Sequence, residues 1–140
     1  MATQQIIPYI SFNGTCEEAL AFYKDVFGGK VEIVTRYDNP AMNAPEAYRN
    51  KILHARFYAD GITIFASDVM PGKTAKGTSG DVALSIAYET AEEGKQVFDG
   101  LSAGGDVHIP FKKQFWGDYH GNFTDKYGIR WMVNTGNDGK

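Results

Sequence analysis

The sequence predicts an α+β fold made of two copies of one βαβββ module, with curved mixed sheets and the helices on the outer face. Three correspondences, occurring in the same order in both halves, predict it. "TCEEALAFY" (15–23) and "TAEEGKQVF" (90–98) share a T-x-E-E start. "GGKVEI" (28–33) matches "GGDVHI" (104–109), and "GITIFAS" (61–67) matches "GIRWMVN" (128–134). Two copies make a duplicated module rather than a solenoid, which needs about three or more repeats. A chain of 140 residues has the size of one domain.

Each element has a local reason. "IIPYISF" (6–12) reads as a short strand. Thr15 is expected to cap the first helix, with Glu18 completing a capping box. Ala19, Phe22, Tyr23, Val26 and Phe27 recur at helical spacing, and Gly28-Gly29 end the run. "KVEIVTRY" (30–37) alternates and is rich in β-branched residues, so it reads as a strand. A loop with two prolines (38–50) leads to a hairpin (51–68) turning at Asp60-Gly61. The first module thus spans about 6–68, and a flexible connection is expected over 69–80. In the second module (about 81–134), "DVALSIAY" (81–88) is the strand and 90–105 the helix, with Thr90 and Glu93 in capping-box positions. An extended stretch (106–116) bends at Pro110, and a closing hairpin turns at Tyr127-Gly128. Residues 135–140 read as a frayed tail.

Composition narrows the function classes. The chain is 43% hydrophobic and 22% charged, with a formal net charge of −3. A surface built for phosphate backbones would be basic, so nucleic acid is not an expected partner. No apolar run approaches the roughly 20 residues needed to span a bilayer, so no membrane partner is expected. No secretion signal is visible, and the single cysteine excludes an internal disulfide. These features suit the cytoplasm. A phosphate loop is missing as well, because "SAGGDV" follows a helix rather than preceding one.

Alternation assigns the strand faces. Ile62, Ile64 and Ala66 share one side, as do Ile129, Trp131 and Val133, and Val82, Leu84, Ile86 and Tyr88. The two helices are expected to cover these sides, which makes Trp131 a core residue. The opposite sides carry small, polar or flexible groups and are expected to line a largely apolar cavity suited to a small molecule.

The pattern resembles the vicinal oxygen chelate superfamily, which includes glyoxalase I, ring-cleaving dioxygenases and bleomycin-resistance proteins. "CEEALAFYKDVFGG", "GDVALSI" and "DKYGIRWMVN" carry the likeness. "PYISFNGTCEEALAFYKDVFGG", "HARFYADGITIFASD" and "WGDYHGNFTDKYGIRWMVN" look like its PhnB-like branch. The resemblance implies a homodimer and, in metal-using members, four ligand positions that align here with Pro8, Phe65, Asp81 and Met132. Of these only Asp81 offers a hard lone pair, so no metal site and no cofactor are expected. The branch carries a demethylubiquinone methyltransferase label in places, yet a chain this short leaves no room for a doubly wound nucleoside-binding sheet.

The residues expected to bind ligand are Phe12, Phe65, Asp81, Trp116, Tyr119, Arg130 and Met132. Trp116, Tyr119 and Phe123 read either as an aromatic clamp or as hairpin packing. Arg130 reads either as an anion contact or as a solvated charge, and Asp81 as a substrate-orienting or a strand-start carboxylate. His54 is the most plausible acid/base group, against a simple hydrogen-bonded strand histidine. His108 and His120 lack a second histidine at ligand spacing. Cys16 reads as packing and Asp68 and Asp125 as turn residues. The leading function is metal-free binding of a small organic molecule. The alternative is a lyase, isomerase or dioxygenase with a displaced metal site using His54 and Asp81. A third reading is a fold that serves as an assembly surface.

Overall fold

The computed structural model describes residues 4–77 and 81–135. The first half contains β1 (Tyr9–Phe12), α1 (Cys16–Phe27), β2 (Lys30–Arg36), β3 (Ile52–Ala59) and β4 (Ile62–Asp68). The second contains β5 (Leu84–Tyr88), α2 (Ala91–Ser102), β6 (Asp106–Lys113), β7 (Tyr119–Thr124) and β8 (Arg130–Thr135). Each half builds its own four-stranded sheet, ordered β1-β4-β3-β2 and β5-β8-β7-β6. In both, one parallel pair (β1/β4, β5/β8) joins two antiparallel pairs. The chain divides into two compact units between Ala75 and Lys76.

The registers repeat as well as the order. Tyr9 lies opposite Phe65, and Ser85 opposite Met132. Ala55 lies opposite Ala66, and Gly121 opposite Val133. Phe65 and Met132 are equivalent in the matched segments, so His54 and His120 occupy the same place in the two modules. Both modules also need a glycine where β2 and β6 begin. A Cβ on Gly29 would lie 2.0 Å from the Tyr58 carbonyl oxygen, and one on Gly105 would lie 2.3 Å from that of Thr124.

The apolar sides form two cores, one per unit. Leu20 and Tyr23 of α1 are buried together with Phe12, Ala55, Phe57, Ile64 and Ala66. In the second unit Phe98 and Leu101 of α2 are buried with Phe123, Trp131 and Val133, and Trp131 is 3% exposed. Phe111 enters this second core because two glycines leave space for it. A Cβ on Gly94 of α2 would meet its ring at 2.8 Å, and one on Gly121 of β7 would meet its backbone at 2.8 Å. The shift in β6–β7 register between Ile109 and Lys112 accompanies this inward turn beside Pro110.

Several boundaries differ from those read in the sequence. The first strand begins at Tyr9 rather than residue 6, because Pro8 has no N–H to give a ladder, although its carbonyl accepts from Phe65 N at 3.0 Å. The fifth strand begins at Leu84 rather than Asp81, and Val82, assigned above to an apolar side, is 68% exposed. Thr135, read as the start of the tail, ends β8 and is buried. Residues 136–140 and 78–80 lie outside the described residues. In the connection, Asn13 clamps Ala75 through two hydrogen bonds of 3.0 and 2.6 Å.

The two helix starts also differ from each other. Thr90 caps α2 by accepting from Glu93 N at 3.2 Å. Thr15 makes no side-chain cap on α1. Asp68, at the end of β4, does that work from across the sheet: its Oδ1 accepts from Cys16 N at 2.8 Å and its Oδ2 from Ile52 N at 2.9 Å. One buried carboxylate therefore ties the start of α1, the start of β3 and the end of β4, a longer reach than a turn role. Thr135 holds the matching place in module two, where its Oγ1 accepts from Tyr119 N at 2.9 Å. Asp125 does serve its turn, accepting from Tyr127 N and Ile129 N at 2.8 and 3.1 Å, and its Oδ2 also fixes the Trp131 indole N–H at 2.9 Å.

An unpaired buried donor costs about 1–3 kcal/mol. Asp68→Ala strands two such N–H groups, so urea denaturation should show a loss of about 3 kcal/mol or more. A loss below about 0.5 kcal/mol, the ordinary range for surface substitutions, would show that the carboxylate is dispensable.

Candidate functional site

The faces turned away from the helices carry the chemistry. In module one, Tyr9, His54, Arg56 and Phe65 gather on this face. The Tyr9 hydroxyl hydrogen-bonds His54 Nδ1 at 3.0 Å, and the two rings stack with centroids 5.6 Å apart. Phe65 stands edge-on to His54 at 5.5 Å. The Arg56 guanidinium lies 5.2 Å over the Phe65 ring and pairs with Glu32 at 3.2 Å. Burial, and then the Arg56 charge, push the His54 pKa below the ordinary imidazole value, against a smaller opposing pull from Glu32. The shift favours the neutral imidazole, whose Nδ1 shares a hydrogen bond with the Tyr9 hydroxyl.

In module two the same strand position holds His120, here in a chain of directed hydrogen bonds. Asn134 Nδ2 donates to Ser85 Oγ at 3.0 Å, which leaves Asn134 Oδ1 as an acceptor for His120 Nδ1 at 2.6 Å. With its proton on Nδ1, His120 accepts at Nε2 from Asn122 Nδ2 at 3.1 Å. Asn122 is 3% exposed, and its Oδ1 is buried without a hydrogen-bond partner among the described residues. Met132 lies directly opposite Asn122, and Arg130 opposite Thr124. Farther along, His108 Nε2 meets Thr124 Oγ1 at 2.8 Å. The Trp116 ring lies 6.4 Å from His120 and is half-exposed.

The expected site residues separate by face. Phe65, Arg130 and Met132 lie on the mixed faces. Phe12, expected as a cavity wall, sits in the core at 2% exposure because it alternates with Tyr9 and Ser11 along β1. Tyr119 is also on the helix-covered side, its ring stacked on Phe111 at 5.7 Å, and Phe123 packs edge-on against Phe98 at 5.2 Å. The aromatic clamp is therefore not assembled: Trp116 goes to the His120 side, Phe123 goes to the core, and the half-buried Tyr119 goes to the helix-covered side. Asp81 is exposed in the segment before β5. Cys16 is fully buried, and that burial, reinforced by Asp68 and Glu17, keeps its thiol protonated.

The ligand positions suggested by resemblance fit a divalent ion poorly. The parallel registers put Tyr9 beside Phe65 and Ser85 beside Met132, while Pro8 and Asp81 fall outside the strands. A phenol, a benzyl group, a hydroxyl and a thioether do not make a hard-cation site. Among the described residues no three His, Cys, Asp or Glu side chains come together in a way that could hold an ion. A cavity of about 310 Å³ at the foot of α1 is lined by Glu17, Lys51 and Asp68 among others, but these groups are engaged. Glu17 pairs with Arg36 at 3.0 Å, Lys51 donates to the Gly14 carbonyl, and Asp68 holds backbone.

Sequence reasoning missed Asn122 and the equivalence of the two histidines. His54 stands seven residues before Gly61 and His120 eight before Gly128, so a comparison aligned on the glycines is out of step by one. The longer turn between Asp125 and Ile129 absorbs the extra residue.

Comparison with known proteins places this geometry. Residues 4–134 match the family model described as 3-demethylubiquinone-9 3-methyltransferase. Protein YjdN of Escherichia coli is 32% identical over 137 residues, covering 91% of this chain and 92% of YjdN. The crystal structure of PA1353 from Pseudomonas aeruginosa is similar at 34% identity and a TM-score of 0.83, over 95% of this chain and 98% of that one. The PhnB protein of Bacillus cereus gives 28% identity and a TM-score of 0.78, over 94% and 99%. A glyoxalase/bleomycin resistance protein/dioxygenase from Nocardioides shares the fold at 16% identity, with a TM-score of 0.58 over 100% and 89%.

The lowered His54 pKa sets a direction for the acid response. The unfolded chain protonates this ring near pH 6.5, the ordinary imidazole value, while the folded chain resists until lower pH. The contribution is present above about 6.5 and is lost as pH falls below it, because the unfolded state then binds more protons. Imidazole NMR titration should place the His54 midpoint below about 6.5, and Arg56→Gln should raise it. A wild-type midpoint at or above that value would contradict the reading.

Proposed function

Because the chain belongs to the PhnB-like family described as 3-demethylubiquinone-9 3-methyltransferase, within the vicinal oxygen chelate superfamily, we propose that it binds a small organic molecule without a divalent metal. The observation that carries this reading is the chemistry at the chelating positions. Phe65 and Met132 offer a ring and a soft thioether where metal-using members need oxygen or nitrogen donors. Each module by itself offers groups that suit an organic ligand: the Tyr9 and Phe65 rings beside His54 in the first, and the Trp116 ring beside His120 in the second, both histidines being already bonded to neighbours.

Methyl transfer, which the family description names, is not part of the proposal. Two four-stranded sheets, each with a single parallel pair, do not supply the doubly wound parallel sheet on which nucleoside cofactors commonly bind. Among the described residues no helix is long and apolar enough to cross a membrane. The proposal includes a homodimer acting in the cytoplasm, in keeping with the family resemblance.

Elemental analysis of protein purified without chelators tests the reading. It should find no stoichiometric divalent metal. One equivalent per chain, lost in His54→Ala, would overturn it in favour of a displaced metal centre.

A further inference from the structure

The face of module one turned away from α1 gathers hydrogen-bonding groups that the fold does not consume. Strand register lays them out in two rows. Tyr9, Phe65, Arg56 and Glu32 are successive partners from β1 through β4 and β3 to β2. In the next row on the same side, Ser11 partners Ser67, and Thr35 partners His54. The hydroxyls of Ser11, Ser67 and Thr35 make no side-chain hydrogen bond among the described residues, and Ser11 is exposed. Tyr9 reaches His54 from across β4 and occupies only Nδ1, leaving Nε2 of this partly exposed ring without a partner among the described residues. Because the Tyr9 hydroxyl can give or take at Nδ1, Nε2 is able to carry a proton. Glu32 engages only one terminal nitrogen of Arg56, in a pair whose side chains are 38% and 46% exposed, so this ion pair is a weak one.

Charge and shape on this face select the ligand. Lys30 lies over Tyr58 on the same side, 5.7 Å from its ring, so two cations, Lys30 and Arg56, stand against one carboxylate, Glu32, in a chain whose formal net charge is −3. The His54 ring and the Arg56 guanidinium both rest against Phe65, at 5.5 and 5.2 Å, within reach of one small anion. The Tyr9 ring beside them is 54% exposed and offers a flat apolar surface. We propose that this face is a binding site for an aromatic carboxylate, with His54 Nε2 and the Arg56 guanidinium holding the carboxylate and Tyr9 packing against the ring. The hydroxyls of Ser11, Ser67 and Thr35 supply further donors around it. The inference rests on the small-molecule reading above and adds the ligand class and the residues that select it.

Benzoate and benzamide share a ring and a planar head group, but only benzoate carries a charge. Each is titrated into isotope-labelled full-length protein and followed by NMR. Benzoate should shift the His54 ring and Arg56 guanidinium resonances. It should also raise the His54 titration midpoint, because an anion there offsets the Arg56 charge that opposes protonation and adds to the smaller pull of Glu32. Benzamide should bind about tenfold or more weakly, the usual advantage of a charge-assisted hydrogen bond over a neutral one. Acetate, charged but without a ring, should also bind more weakly than benzoate. Arg56→Gln should shrink the difference between benzoate and benzamide. The comparison on the wild-type chain decides the matter even where that variant does not fold. Equal binding of benzoate and benzamide on this face, with the His54 midpoint unmoved, would overturn carboxylate selection while leaving small-molecule binding standing. No perturbation of the module-one face by either compound would overturn the site, and a metal equivalent in the elemental analysis would overturn the wider reading separately.

Discussion

The two-residue period of a β-strand is the constraint on which this molecule depends. It sends Tyr119, Gly121 and Phe123 of β7 to the helix-covered side and His120, Asn122 and Thr124 to the other. Slipping the β7–β8 pairing by one residue would exchange those sets, placing an imidazole and two polar side chains against α2 and exposing Phe123. Register is therefore the quantity the fold must protect. It does so with side chains that bond to backbone at the strand ends. Asp68 and Thr135 sit at matching places, and each accepts from the first N–H of the neighbouring strand, Ile52 or Tyr119. Asp125 pins the second hairpin at its turn and at the Trp131 indole together.

With register secured, the faces away from the helices are ordered by their own hydrogen bonds and ring contacts. Each carries a histidine at the same strand position, fixed by a different set of neighbours. His54 is held by a phenol and two rings, with Arg56 opposing its protonation. His120 is held at both nitrogens by amides. The two modules share strand order and register but differ in the chemistry they present, aromatic and charged in the first, amide-rich in the second.

Most of the fold was legible in the sequence, because it is written in repeated, periodic signals. The T-x-E-E starts, the paired glycines and the alternation in "GITIFAS" and "GIRWMVN" located the elements, and Trp131 was placed in the core through its match to Ile64. Long-range partners were not legible. Thr15 and Thr90 look alike in sequence, yet only Thr90 caps its helix, because Asp68 arrives at the first helix from across the sheet. Trp116 and Tyr119 look like one aromatic cluster, but the turn between β6 and β7 breaks the alternation that would relate their sides. Asn122 gave no signal at all: an amide in a strand becomes significant only when its neighbours' donors and acceptors have been counted.

The central claim is that directed hydrogen bonds, rather than coordination to an ion, set the state of the module-two histidine. Long-range proton–nitrogen NMR correlation on the His120 ring measures this directly at a pH where an ordinary imidazole, with a pKa of about 6.5, is neutral. The account predicts the tautomer with Nδ1 protonated and a pyridine-like Nε2. A ring protonated at Nε2 would contradict it, since Asn122 would then have to turn its oxygen toward the imidazole and the unpartnered acceptor would no longer exist.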